Sequence, residues 1–238
     1  MTPFFRPLPA MTAACAIAFA VAMGLGVWQV ERLHWKLGLI AQVQHNMSAA
    51  PISIDAAMAL GPQAQYRRVA ADGSFDNAKE AYAFATDATG AMVYHVLVPF
   101  TLGDGRVLMV DRGVVPKERL DPATRSGGQL QDVRHVVGVW RTPDPTGAFT
   151  PAPDRAHRIW YARDVAGMAK ADGVALAAPV VIEADATPNP GGWPKGGQTV
   201  VAFRNEHLQY AITWFGLAAV LAGVYVAYHV SRGRLGFK

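Results

Sequence analysis

Two long runs without charged residues dominate the hydropathy pattern of the chain. One spans residues 7–30, between Arg6 and Glu31, and the other spans 207–231, if histidines are counted as neutral. A helix needs about 20 apolar residues to cross the roughly 30 Å hydrocarbon core of a bilayer. The pattern therefore predicts two transmembrane helices, over 8–30 and 207–229, with short tails at 1–7 and 230–238.

A cleaved signal peptide is the alternative interpretation of the first run. Arg6 precedes the apolar stretch, and the segment AFAVA offers small residues for cleavage. However, the apolar part is longer than the usual core of roughly 7–15 residues, and Trp28 closes it as an interfacial anchor would. These two features favour a retained helix.

The segment between the runs, 31–206, changes from helical to strand-like patterning. Helical spacing continues to about residue 47, and short helices are predicted at 55–60, capped by Asp55, and at 164–173, capped by Asp164. Further along, runs rich in Val, Tyr and Phe are bounded by turn residues, and GDG separates two of them as a hairpin loop. The predicted strands are 66–71, 81–86, 93–102, 106–112, 134–141, 158–162, 178–183 and 199–203.

The fold class that follows is an integral membrane protein whose two transmembrane helices flank an exported domain. We expect that domain to be mainly antiparallel β, either a barrel or a sandwich, with one or two short helices. The proline-rich segment 187–198 is interpreted as a partly extended linker that leads back to the membrane.

Charge is distributed unevenly between the tails and the intervening domain. The net charge is +4, yet residues 31–206 hold all 18 Asp and Glu and 18 of the 22 Lys and Arg. This balance gives no basic patch for nucleic acid, so no nucleic-acid partner is predicted. Basic tails favour the cytoplasmic side of a membrane, so we expect both tails inside and the domain outside. The four remaining positive charges are Arg6, Arg232, Arg234 and Lys238.

Cysteine usage restricts the chemistry further. Cys15 is the only cysteine and lies in the first predicted span. A single cysteine excludes a disulfide within the chain, a CxxCH haem attachment and a paired-thiol copper site.

Small residues in both predicted spans mark a possible packing surface. They recur at every fourth position, which lets helix backbones approach closely. The opposite face of the second helix carries a histidine and a tryptophan, and it points away from the first helix if the small residues form the contact. The small residues are Ala14, Ala18, Ala22 and Gly26 in the first span and Ala219, Gly223 and Ala227 in the second; the opposite face consists of His207, Tyr210, Ala211, Trp214, Ala218 and Leu221.

Two groups of residues at the membrane edge are candidate binding groups. His207 either ligates a metal or serves as a polar anchor, and Trp214 can stack on a flat ring but cannot ligate it. At the exit of the first span, four residues near one helical face either hold acidic groups of a ligand or contact phospholipid head groups. These four are Trp28, Arg32, Trp35 and Lys36.

Four segments of the chain together resemble the Surfeit locus protein 1 family. The same order of motifs brackets the same layout of two spans around one exported domain, so the resemblance covers nearly the whole chain. The first and last motifs are the most specific, because each joins polar residues to a membrane edge at a fixed spacing. The segments are LGVWQVERLHWK at 25–36, VYHVLVPFTLGDGRVLMVDRGVVP at 93–116, the FTP…WYARD run at 149–164 and NEHLQYAITWFGLA at 205–218.

The resemblance implies a role in assembling cytochrome c oxidase rather than an enzymatic one. It implies that the protein binds haem a and helps place it in the catalytic subunit of the oxidase, with haem a synthase as a possible further partner. His207 and Trp214 match the family's haem-binding histidine and tryptophan, so His207 becomes the expected iron ligand. Tyr210 and the basic and aromatic group at 28–36, facing the haem propionates or membrane lipid, complete the expected site. The alternative is a haem-free membrane scaffold that stabilises an oxidase assembly intermediate.

Two departures from the family pattern affect these expectations. Asn205–Glu206 stands where an asparagine pair is common, which puts hydrogen bonding to the His207 imidazole in question. Val114 stands where a tryptophan is common, which leaves the role of that hairpin end open. Because the first span begins by position 8, without an Arg/Ser-rich presequence, we expect a bacterial inner membrane.

Other functional classes fit the sequence less well. None of the five serines lies in a GxSxG motif, and neither HExxH nor a Walker-type loop is present, so no hydrolytic site is predicted. Asp111–Arg112 and the group Tyr161, Arg163 and Asp164 could lie in a cleft, but charge pairs at strand ends are interpreted as structural. A sensor needs a cytoplasmic output domain, and only about nine residues follow the second span.

Overall fold

A computed structural model describes residues 2–87, 89–143, 146–201 and 203–237 of the chain. The described residues form two compact units. One unit contains residues 43–201 and is built on β-strands. The other contains the described residues up to 42 and from 203 onward, and it is helical.

The helical unit is built from two long helices. Helix α1 spans Pro9–Ser48 and helix α4 spans His207–Ser231, with mean hydropathies of 2.0 and 1.8 in their most apolar stretches. Both are long and apolar enough to cross a membrane. The prediction that the first helix continues to about residue 47 is confirmed.

A small antiparallel ribbon joins the N-terminal end of α1 to the C-terminal end of α4, within the segments predicted as short tails. Strand β1, Pro3–Phe5, pairs with strand β10, Leu235–Phe237. The ring of Phe5 lies 5.5 Å from the fully buried His229. This ribbon ties the two ends of the helix pair together.

The contact between α1 and α4 uses a different face of α4 from the predicted one. Ala219, Gly223 and Ala227 are exposed, whereas Ala211 and Ala218 are only 2% and 1% exposed. The buried alanines share a helical face with His207, so the expectation that this face points away from the first helix is wrong. Both faces carry small residues, and neither their size nor their spacing distinguishes the one that packs.

Two of the four small residues predicted to form the packing surface of α1 lie in the helix contact. Ala22 is buried, and a Cβ atom added to Gly26 would lie 2.5 Å from the ring of Phe215, whereas Ala14 and Ala18 are exposed. The two helices run antiparallel. Further along the pair, the hydroxyl of Thr12 hydrogen-bonds that of Tyr225 at 2.6 Å.

The β unit contains eight strands and two short α-helices among the described residues. Helix α2, Ile54–Leu60, and helix α3, Val165–Ala171, are the two predicted short helices. The hairpin predicted at GDG joins β5 to β6, and Gly105 adopts a positive φ of 86° there. The strands are β2, Ile52–Ser53; β3, Arg68–Phe75; β4, Ala81–Thr86; β5, Met92–Leu102; β6, Val107–Pro116; β7, Arg134–Arg141; β8, Ile159–Trp160; and β9, Val181–Ala184.

Five of these strands close into a small barrel, which decides between the two predicted architectures. They pair in the order β3, β7, β9, β6 and β5, and β5 then pairs with β3. Most pairings are antiparallel, but β6 and β9 are parallel, as are the short pairs β2–β3 and β4–β8. A parallel pair needs a long crossover, and the segment between β6 and β9, which includes α3, supplies it.

The barrel interior is apolar and α3 covers a second cluster outside it. Phe100, Leu108 and Ile182 are fully buried within the barrel cluster. Trp160 and Met168 belong to the cluster that seats α3, with Leu97, Met109 and Val181 from the sheet. Asp164 caps α3 as predicted, because its carboxylate accepts a hydrogen bond from the Gly167 amide at 2.9 Å.

Three local predictions are corrected by the structure. The cap of α2 is Ser53 rather than Asp55, whose carboxylate instead pairs with Arg106 at 2.7 Å. Residues 199–201 and 203 do not form the predicted strand. The segment predicted as a linker, 187–198, packs on the β unit as far as residue 197. Lys195 and Val114 pair there through backbone hydrogen bonds.

Candidate functional site

His207 is the first residue of α4 and lies where the helix meets the preceding chain. Glu206, immediately before it, pairs with Arg204 at 2.6 Å, and this hydrogen bond lowers the pKa of the Glu206 carboxyl. Asn205 has a buried side-chain oxygen without a hydrogen-bond partner in the described part of the chain. The hydrogen-bond partner of the His207 imidazole comes instead from the other long helix.

That partner is Gln29 on α1. The Nδ1 atom of His207 lies 2.7 Å from the side-chain oxygen of Gln29, which only accepts hydrogen bonds. In this arrangement Nδ1 donates its hydrogen to the Gln29 oxygen, and in the neutral form of the ring this tautomer leaves the lone pair on Nε2. A histidine held in this tautomer by a hydrogen bond at one nitrogen is prepared to ligate a metal through the other.

Trp214 lies two helical turns from His207 on the same face of α4. Seven residues at about 1.5 Å rise place it roughly 10 Å further along the helix axis. Its side chain is partly buried, like that of His207, as expected for a face that packs toward α1. A flat ring ligated at Nε2 can meet an indole only where this face emerges from the helix contact.

The other predicted binding residues divide into two groups. Lys36 belongs with the partly buried side of α1, and its ammonium group lies 5.2 Å from the ring of Phe203. The guanidinium of Arg32 stacks on the ring of Trp35 at 3.9 Å. The exposed members are Tyr210, Trp28, Arg32 and Trp35.

The exposed surface of α1 thus offers the Arg32 cation stacked on Trp35. A second aromatic residue, Trp28, precedes Arg32 by four positions. This surface suits acidic groups at a membrane boundary, whether they belong to a ligand or to lipid. The structure brings the side chains of Arg32 and Trp35 into contact, and it places Gln29 beside His207, a partner that the sequence pattern did not identify. The available signal was the seven-residue spacing of positions 22, 29 and 36, which places Gln29 on the packing face.

The β unit holds a separate polar cluster around Asp111. His95 Nδ1 lies 2.7 Å from Asp111 Oδ2, and Arg163 lies 3.9 Å from the same carboxylate and 2.5 Å from Glu183. Burial works against a charged imidazole, but the Asp111 carboxylate outweighs it and raises the pKa of His95. Thr199 donates a hydrogen bond to Glu183 at 2.7 Å. The charged groups of the cluster thus pair with one another, which supports the interpretation of these charges as structural.

No group of three or more His, Cys, Asp or Glu side chains that could hold a bare metal ion occurs among the described residues. The arrangement at His207 instead offers one nitrogen ligand, Nε2 of the imidazole. One such ligand suits a metal that brings its other ligands with it, as the iron of a haem does.

Comparison with known proteins gives consistent matches over most of the chain. The model of the SURF1 family matches residues 16–219. Surfeit locus protein 1 of Mus musculus is 39% identical over 233 residues, covering 90% of this chain and 74% of the relative. The protein of that name from Takifugu rubripes is 34% identical over 229 residues, covering 90% and 94%. A SURF1-like protein of Drosophila melanogaster is 32% identical over 231 residues, covering 90% and 75%.

Proposed function

The chain belongs to the SURF1 family, and from that membership we propose that it is an assembly factor for cytochrome c oxidase that carries haem a. In this role it receives haem a in the membrane, with a haem a synthase as the source, and helps place it in the catalytic subunit of the oxidase. The oxidase role follows the family resemblance. The haem role is supported by the geometry at His207.

The observation that carries the haem proposal is the hydrogen bond between His207 and Gln29. It fixes the imidazole with Nδ1 protonated and leaves Nε2 for the iron. Trp214, on the same face, offers a stacking surface, and Tyr210 lies exposed beside it. The stacked pair Arg32 and Trp35 supplies a positive charge suited to propionate groups.

The proposed location is the inner membrane of a bacterium, with the β unit outside the cytoplasm. Two helices capable of spanning a membrane support an anchored protein. The four positive charges beyond 31–206 support an orientation with both tails in the cytoplasm, where basic residues are favoured.

The first experiment purifies the full chain in detergent from a host that makes haem a and measures bound haem by the reduced pyridine haemochrome spectrum. The wild type is expected to carry haem a and His207→Ala to lose it. Gln29→Ala removes only the orienting hydrogen bond, so we expect haem affinity to fall roughly 10- to 100-fold.

Gln209→Ala is the matched control, since it removes an exposed glutamine from α4 near His207. It should bind haem like the wild type. Undiminished haem in His207→Ala would overturn the assignment of the iron ligand. Absence of haem from the wild type and from all three variants would favour the haem-free scaffold. Copurification with the oxidase subunit tests that alternative.

A further inference from the structure

A cavity of about 250 Å³ lies at the surface of the β unit, beside strand β7 and the segment that follows β9. Its walls are largely apolar, and two arginines, Arg112 and Arg134, contribute to its lining. The apolar part of the wall includes Phe75, Leu130, Val136, Pro188 and Pro190. None of these residues takes part in the His207 site.

Arg112 is held rigidly at this cavity by neutral groups. Only 2% of the residue is exposed, and its guanidinium stacks on the ring of Phe75 at 4.5 Å. It donates hydrogen bonds to the amide oxygens of Asn189, at 2.9 Å, and Asn77, at 3.4 Å. Each of these amides is itself fixed, because its NH₂ group donates to a backbone carbonyl, of Pro194 and Leu130 respectively.

No carboxylate lies within ion-pair distance of Arg112 in the described part of the chain. Burial, and after it the positive charges of Arg125 and Arg134, lowers the pKa of Arg112 to about 10, while Glu80 acts in the opposite direction. The guanidinium therefore stays charged at neutral pH. A buried charge without a counter-charge is costly, and an anion from outside would relieve that cost.

Arg134, which also lines the cavity, has an unsatisfied donor. Its Nε atom is buried without a hydrogen-bond partner in the described part of the chain, although one of its terminal nitrogens contacts Asp132 at 3.3 Å. Burial of a donor that finds no acceptor is rare in folded proteins. An acceptor supplied by a ligand would satisfy it.

The remaining titratable groups at the cavity wall already have partners. His135 contacts Asp72 at 2.9 Å. Asp185 accepts hydrogen bonds from the amide and hydroxyl of Thr187, at 3.0 and 2.6 Å, and lies 3.7 Å from Arg68. Among the described residues that line the cavity, Arg134 thus has an unsatisfied donor and Arg112 is a cation without a carboxylate partner.

We propose that this cavity binds a small organic oxyanion, a carboxylate or a phosphate, through the guanidinium of Arg112 with Arg134 at its rim. The planar guanidinium suits the two oxygens of such a group, and the apolar wall suits a small apolar body attached to it. The cavity volume limits the ligand to a few heavy atoms beyond the anionic group, since pockets for drug-sized ligands begin at about 300 Å³.

The test titrates the full-length protein, in uncharged detergent at low ionic strength, with inorganic phosphate, acetate and benzoate by isothermal calorimetry. We expect saturable one-site binding of at least one anion. Tighter binding of benzoate than of acetate would identify an apolar carboxylate, and a preference for phosphate would identify a phosphoryl compound.

Variants then locate the binding. Arg112→Gln and Arg134→Gln should each weaken binding roughly tenfold or more, because each removes a charged hydrogen-bond donor. Arg106→Gln is the matched control, since Arg106 is paired with Asp104 and Asp55 in an exposed turn and does not line the cavity. If Arg112→Gln does not fold, the rim variant Arg134→Gln still decides the question.

Two results would overturn the proposal. One is the absence of saturable binding of all three anions to the wild type. The other is binding that Arg134→Gln and folded Arg112→Gln retain at wild-type strength. Haem content does not enter either measurement, so the outcome is independent of the haem proposal.

Discussion

Two buried arginines in the β unit satisfy their charge in different ways. Arg125 is paired with Glu80 at 2.5 and 3.1 Å and also contacts Tyr82, whose pKa burial raises to about 12. Among the described residues, Arg112 hydrogen-bonds two amide oxygens and stacks on an aromatic ring, and no carboxylate lies within ion-pair distance of it. Breaking a buried ion pair leaves an uncompensated charge, so Arg125 stabilises the fold only together with Glu80. Arg112 is available to a ligand because it lacks such a partner.

His95 makes the stability of the β unit depend on pH. Although burial opposes it, Asp111 raises the pKa of His95 in the folded protein above the ordinary value of about 6.5. The charged imidazole thus stabilises the fold fully below about pH 6.5, and this contribution is lost as the pH rises through the folded pKa. The wild type should therefore exceed His95→Gln in unfolding free energy by a margin that shrinks between pH 6 and pH 9.

Denaturant unfolding at several pH values, followed by tryptophan fluorescence, measures this margin. Each unit of difference between the folded and unfolded pKa contributes about 1.4 kcal/mol. Asp111→Asn removes the cause and should abolish the same pH dependence. A margin that stays constant or grows with pH would contradict the assignment.

The residues of the candidate site were only partly predictable. His207 and Trp214 occupy one face because helical periodicity is a local property of the sequence. Gln29, which lies 178 residues from His207 along the chain, meets it only through packing of two helices. The sequence predicted a structural charge pair at Arg112. Its lack of a carboxylate partner depends on strands and loops that the sequence does not place.

At the scale of elements, the two long helices show how close packing selects one face among several candidates. Ala218 and Ala219 are neighbours in sequence and similar in size, yet the first is buried and the second exposed. The difference of about 100° between them around the helix decides which face meets α1. The two buried alanines of α4, Ala211 and Ala218, are seven residues apart, which is the spacing of left-handed helix pairs.

Gly26 on α1 packs closely against the ring of Phe215 on α4, and substitution of this glycine tests the helix contact. A side chain at Gly26 would collide with Phe215, so Gly26→Leu should lower the stability of the helix pair by about 1–3 kcal/mol. Thermal unfolding in detergent, followed by the circular dichroism of the helices, measures the effect.

Gly24 provides the matched control in the same helix, because a Cβ there meets nothing within 4 Å. Gly24→Leu should leave the unfolding midpoint near that of the wild type. Phe215→Ala should relieve part of the loss caused by Gly26→Leu. Equal effects of leucine at positions 24 and 26 would show that the helices do not meet at this face.

For the whole molecule, closure of the barrel depends on a strand that comes late in the chain. Strand β9 joins β6 to β7, and β3 pairs with β5 on the other side of the ring. The sequence predicted most of the strands, since alternation and turn residues are local signals. It did not predict the parallel β6–β9 pair, because register between distant strands is set by the closed ring as a whole.

This dependence predicts which fragments of the chain fold. Residues 43–201 contain the whole ring and its apolar interior, so this fragment should be soluble and unfold cooperatively. A fragment of residues 43–178 lacks β9 and leaves the edges of β6 and β7 unpaired, so it should aggregate or remain unfolded. Amide exchange and denaturant unfolding of both fragments make the comparison, and a cooperative transition in the shorter one would contradict it.

The hydrogen bond between Gln29 and His207 also has a consequence in time. A ribosome that adds roughly 5–20 residues per second needs on the order of 10–40 seconds to make the 178 residues between them. During that interval the first helix is already synthesised while its partner does not exist, and the β unit has time to fold between the two. A nascent chain halted before residue 207 can thus have an anchor and a folded barrel, but it lacks the imidazole proposed to bind haem.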